Sequence, residues 1–112
     1  MDFVQTTERR ELNMKYVLKS NDLGDKGFPM LKDLIKDIDV KTKTEVLTYM
    51  KTSKFYVASA PSITKDLLGG GNIPNSSDVY SDGEYSWTTD DIYYFEKYNV
   101  SLDDEFIKKV IM

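Results

Sequence analysis

The 112-residue chain contains no cysteine and no histidine. Disulfides, thiolate or imidazole metal ligands, cysteine nucleophiles and every Ser-His-Asp arrangement are excluded together. No apolar run approaches the roughly 18 residues that a membrane span needs. The stretch from Met1 to Met14 is polar and mixed in charge, unlike a secretory signal. These absences lead to the expectation of a cytoplasmic protein with no membrane contact. With 40% hydrophobic residues and 12% aromatics, a chain of this length buries one modest core, so a single domain over residues 1–112 is expected.

What is present is negative charge gathered at one end. Residues 1–56 carry 11 basic and 9 acidic side chains, whereas residues 57–112 carry 4 basic and 10 acidic ones. From Asp78 to Glu105 nine acids stand against the single Lys97, and from Tyr80 to Phe106 lie eight of the 14 aromatics. A surface of that composition repels nucleic acid and attracts basic proteins.

The patterning predicts an α/β or α+β domain, a short sheet packed with about four helices. Strands are expected at 14–20 and 54–60, and a hairpin at 79–87, where Asp82-Gly83 sits between alternating apolar residues. A two-residue turn there pairs Ser81 with Glu84 and sets Tyr80 opposite Tyr85. Helices are expected at 28–38, on the stripe Phe28, Leu31, Leu34, Ile35 and Ile38, and at 42–52, on a Thr42…Glu45 capping box. Two more follow at 89–98, capped by Thr88 or Thr89, and at 102–111, capped from Ser101. Thr7 to Asn13 has the makings of a helical turn capped by Thr7, as has Ser62 to Leu68, and Gly69 to Ser77 reads as a flexible loop.

The candidate chemistries are weak beside their structural explanations. Ser62-Ile63-Thr64-Lys65 has the Ser-x-x-Lys spacing of penicillin-interacting enzymes, but neither Ser-Asp-Asn nor Lys-Thr-Gly occurs. Acid pairs such as Asp82 with Glu84, or Asp91 with Glu96, would need a separation of about 5 to 9.5 Å and a cleft to act on glycosides. Hairpin and capping chemistry already account for them. Asp103, Asp104 and Glu105 suit the first turn of a helix, without calcium-loop spacing. Gly69 to Gly71 has no Lys-Ser/Thr after it to hold a phosphate. No catalytic residue, cofactor or metal is therefore expected. Tyr93-Tyr94-Phe95 is different, because successive helical residues point about 100° apart and the three rings cannot all enter one core face. One of them is a candidate interface ring.

The run Tyr80-Ser81-Asp82-Gly83-Glu84-Tyr85-Ser86-Trp87 is followed by Asp90-Asp91-Ile92-Tyr93-Tyr94-Phe95-Glu96-Lys97-Tyr98-Asn99-Val100 and by Leu102-Asp103-Asp104-Glu105-Phe106-Ile107. It resembles small bacterial immunity-type proteins encoded beside polymorphic or contact-dependent growth-inhibition toxins. The likeness covers about residues 45–112, with Val57 to Pro61 and Asp66 also fitting. The resemblance implies a non-enzymatic antidote that binds its own toxin domain, in which Gly83, Trp87 and Phe95 are fold residues. Together with the charge pattern it leads to the expectation that Asp82, Glu84, Asp90, Asp91, Tyr94 and Glu96 form or border a face that docks on a basic toxin domain, a nuclease by preference. An acidic adaptor, or a nucleic-acid-mimicking inhibitor of another basic protein, is the alternative.

Overall fold

Tyr85, Ser86, Trp87 and Thr88 alternate inward and outward, and this strand organises the molecule. The computed structural model describes residues 14–53, 55–57, 62–74 and 78–112. Its elements are β1 (Lys15–Tyr16), α1 (Val40–Lys51), β2 (Phe55–Val57), β3 (Ile63–Lys65), β4 (Asn72–Pro74), β5 (Val79–Ser81), β6 (Tyr85–Thr88), α2 (Thr89–Tyr98) and α3 (Asp104–Ile111). One sheet has the order β1-β6-β5-β2, with β1 parallel to β6 and the other pairs antiparallel; β3 and β4 form a separate antiparallel ribbon. α1 packs against α2 and α3, and α2 packs on β6 and β4. The result is one small domain of the expected mixed α and β class.

The core forms where these elements face one another. Trp87 and Tyr85 from β6 meet Val46 and Met50 from α1, Ile92 and Phe95 from α2, and Phe106 from α3, all buried. The Trp87 indole N–H donates to the Met50 carbonyl at 3.2 Å, so the largest ring in the core leaves no polar atom unpaired.

α2 forms as the sequence predicts. Thr88 is the N-cap, its hydroxyl accepts from the Asp91 amide, and the Asp91 carboxylate accepts from the Thr88 amide. Asn99 ends the helix in the left-handed region at φ 60°, a conformation that asparagine tolerates. Replacing Thr88 with Ala should lower stability by about 1 kcal/mol. A urea midpoint that falls without a change in slope would show it.

Elsewhere the local expectations give way to longer-range bonds. The helix expected at 28–38 is only a 3-10 turn, Leu31–Leu34, flanked by extended backbone at Met30 and Ile35. Its backbone groups find distant partners: Leu31 N–H donates to the Asp22 carboxylate, Ser101 N–H to the Leu34 carbonyl, and Lys36 N–H to the Asn99 carbonyl. Ile35 bridges Val100. Leu31 is fully buried, but Phe28 and Ile35, from the same apparent stripe, are exposed.

α1 starts two residues earlier than expected, because Asp39 and not Thr42 is the cap. The Asp39 carboxylate takes both the Thr42 amide and the Thr42 hydroxyl at 2.8 Å, which uses the group that a Thr42 cap needs. α3 likewise starts at Asp104 under Asp103, whose side chain accepts from the Phe106 amide, and not under Ser101.

The hairpin register also differs. Ser81 pairs with Ser86 and Tyr80 with Trp87. Asp82 accepts the Glu84 and Tyr85 amides through its own side chain, so the Glu84 amide is not free to close a two-residue turn. The slip spans two positions, which keeps Tyr85 and Trp87 on the expected face.

Residues 62–68 contain β3 where helical turns were expected, and Asn72–Pro74 within the 69–77 segment is a strand. Strand 14–20 shrinks to Lys15–Tyr16, and 54–60 is represented by Phe55–Val57. The turn expected at Thr7 to Asn13 lies outside the described residues.

Candidate docking surface

The six residues singled out in the sequence fall into four places. Asp82 and Glu84 stand at the hairpin tip and share one cation: the Lys109 ammonium lies 2.9 Å from each. Lys15 reaches Glu84 at 3.3 Å, and the Tyr49 hydroxyl donates to Asp82 at 2.5 Å. Burial works against ionisation of Asp82, but the hydrogen bonds from Tyr49, the Tyr85 amide, Lys109 and the Glu84 amide outweigh it and hold the carboxyl at about 2. The bonds to Asp82 and Glu84 push Lys109 well above the ordinary lysine range. These two acids are already neutralised by the chain's own lysines, and Asp82 also shapes the turn. Glu96 is elsewhere, exposed and paired with Lys51 at 3.1 Å.

Asp90 and Asp91 lie at the opposite end of β6, at the start of α2. Together with Asp25 they line a hollow of about 320 Å³ whose other walls include Tyr16, Leu18 and Leu23. No lysine or arginine among the described residues lines it. Asp90 is half-buried; its carboxylate accepts from the Thr64 hydroxyl at 3.3 Å, and burial raises its pKa. Asp91 is 9% exposed. Burial pushes its carboxyl up to about 7; the Thr88 amide opposes the shift, and the charges of Asp90 and Asp25 add to it.

Tyr94 is 1% exposed. Its hydroxyl accepts from the Leu67 amide at 3.0 Å and so anchors the end of β3 to α2. Asp91 and Tyr94 are thus interior groups, which corrects the expectation that they present themselves to a partner. Of the six, Glu84, Asp90 and Glu96 reach solvent without shaping a turn or filling the core, and of these Glu84 and Glu96 are already paired with lysines.

Asp66 fits the immunity-type resemblance, but the sequence reading assigned it no role. Its side chain is fully buried between the β3–β4 turn and α2. One oxygen accepts the Leu68 and Gly69 amides at 2.8 and 2.9 Å; the other accepts the hydroxyls of Tyr93 and Tyr98, each at 2.6 Å. Lys97 lies over both tyrosine rings, at 5.4 and 5.5 Å. Burial alone would raise the Asp66 pKa, but four donated bonds hold it well below the usual carboxylate range. The Asp-x-x-Gly spacing of a side-chain-closed turn was the available signal. The tyrosines explain why three aromatics can follow one another on α2: Phe95 enters the main core, Tyr94 the β3 junction, and Tyr93 the Asp66 carboxylate.

Among the described residues no group of three potential ligands could hold a metal ion, and no helix is long and apolar enough to cross a membrane. No family model, curated protein or solved structure matches the chain.

Proposed function

We propose that the protein is a cytoplasmic, non-enzymatic antidote that binds a basic toxin domain one to one and covers its working surface. The observation that carries this reading is the hollow at the start of α2, where Asp25 and Asp90 stand with no lysine or arginine among the described residues in the lining, and where Asp90 belongs to a chain half with 10 acids and 4 bases. A lysine or arginine of a partner would supply the missing charge. Tyr16 at the rim, 48% exposed, offers ring area next to it. A toxin that attacks nucleic acid needs a basic surface, so an acidic partner gains steered association. The likeness of residues 80–107 to immunity-type proteins points the same way.

The test is association with the basic domain encoded by the neighbouring gene. Asp90→Lys combined with Glu96→Lys is expected to slow association about tenfold at low salt and to flatten its dependence on ionic strength. A 1:1 complex whose association rate and salt slope are the same in the variant would exclude steering by these two acids. Absence of any complex would exclude the antidote reading itself.

A further inference from the structure

We propose that the first turn of α2 is a proton-operated latch, in which a neutral Asp91 lets the Ser20–Asp25 loop close over the hollow and an ionised Asp91 loosens it. The inference concerns the chain alone and is independent of any partner. Its basis is Asp91, nine-tenths buried in a hollow with no lysine or arginine among the described residues in its lining. The titratable groups around it are Asp90 on α2, Asp25 from the loop and Tyr16 from β1; on the β5 side of the same turn sits the buried Asp78, whose carbonyl accepts the Thr89 amide. Removing water from a carboxylate and setting like charges near it both favour the protonated form. The hydrogen bonds with Thr88 and the helix dipole favour the anion and oppose both influences.

The closed loop is braced by bonds within itself. Leu23 and Asp25 amides both donate to the Ser20 carbonyl at 3.0 Å, the Gly24 amide to Asn21 at 3.0 Å, and the Ser20 amide to the Asp25 carboxylate at 2.9 Å. Asp25 therefore serves as a loop brace and also as a negative wall of the hollow. In an opened loop, Asp91 regains water and moves away from Asp25, so its pKa falls. The open form then binds fewer protons than the closed one, and rising pH favours opening. If opening lowers the Asp91 pKa by about one unit, the open population grows about tenfold once both forms are ionised.

Carboxyl carbon shifts and amide hydrogen exchange, measured between pH 5 and 8.5 on the full chain, test this. The Asp91 carboxyl is expected to titrate near 7, and protection of the Leu23, Gly24 and Asp25 amides, corrected for intrinsic exchange, to fall about tenfold across the same range. Asp91→Asn should make that protection independent of pH. Asp25→Asn should move the Asp91 midpoint downward, a response that a purely structural role of Asp91 would not give. An Asp91 carboxyl that titrates below 5 would overturn the proposal. So would loop protection that does not follow the Asp91 titration in the wild-type chain.

Discussion

Asp66→Ala is expected to lower stability by about 3 kcal/mol, which is large against the 5–15 kcal/mol, roughly, that holds a small domain folded. The change removes the acceptor for four donors at once: the Leu68 and Gly69 amides and the hydroxyls of Tyr93 and Tyr98. The tyrosines, half-buried, can turn towards water, so most of the cost falls on the two amides and on the junction they hold. That junction is tight. A Cβ on Gly69 would lie 2.0 Å from the Tyr98 hydroxyl oxygen, so only glycine lets the turn come this close to α2. Asp66→Asn is expected to cost about half as much. Its remaining oxygen can keep the two amides, and its NH2 can donate to the tyrosine hydroxyls, which then accept. The two variants also separate on the acid side. Because the folded carboxyl is held below its unfolded value of 3.8, its contribution is present above that value and is lost as pH falls through the folded one. Part of the acid-induced loss seen in the wild-type chain should therefore vanish in Asp66→Asn. Urea midpoints at pH 3 and pH 6 measure both effects; equal midpoints for wild type and Asp66→Ala at pH 6 would show that the cluster holds nothing.

What could be read from the sequence was whatever is decided within a few residues. α2 is the clearest instance: its cap, its reciprocal Asp91 bond and its dipole-favoured acids all lie between Thr88 and Asp91. At α1 and α3 the same local rule offered two candidates each. Asp39 displaced Thr42 and Asp103 displaced Ser101, a competition between neighbours that propensity ranks too closely to decide. The 28–38 segment failed for another reason. Its apolar spacing fits a helix, yet its amides and carbonyls are taken by Asp22, Asn99 and Ser101, partners that no window along the chain reveals.

The acidic face suffered from the same blindness. Counting acids from Asp78 to Glu105 does not show that Lys15, 69 positions from Glu84, folds back onto it, or that Lys109 sits between Asp82 and Glu84. Nor does it show Asp25, from the basic half of the chain, completing a hollow with Asp90 and Asp91 that no lysine or arginine among the described residues lines. Asp66 escaped because a lone acid before three glycines looks like solvent-exposed loop until the tyrosines of α2 are placed against it.

Phe106→Ala is expected to be the most damaging core change, costing about 4 kcal/mol and leaving a chain that unfolds at markedly lower urea. Phe106 is fully buried and is the meeting point of three rings: Tyr49 on α1 at 5.8 Å, Tyr85 at 5.1 Å and Trp87 at 5.3 Å on β6. The geometry is edge-on or tilted in each case, the arrangement in which aromatic pairs add to the stabilisation from burial. α3 is short, and among its residues only Phe106 is fully buried, with Ile107 and Val110 half-covered. Truncating it removes the ring and also the main hold of α3 on α1 and the sheet, so little nearby can collapse to fill the space. Phe106→Leu keeps much of the volume but loses the ring contacts and should cost about 1.5 kcal/mol. Trp87 emission separates a repacked core from a detached helix. If the core repacks, Trp87 keeps its bond to Met50 and its emission hardly moves; if α3 releases, Lys109 leaves Asp82 and Glu84, and the Asp82 pKa rises from about 2 towards its unfolded value. A cost for Phe106→Ala below about 1 kcal/mol would mean that α3 is not docked on this aromatic group at all.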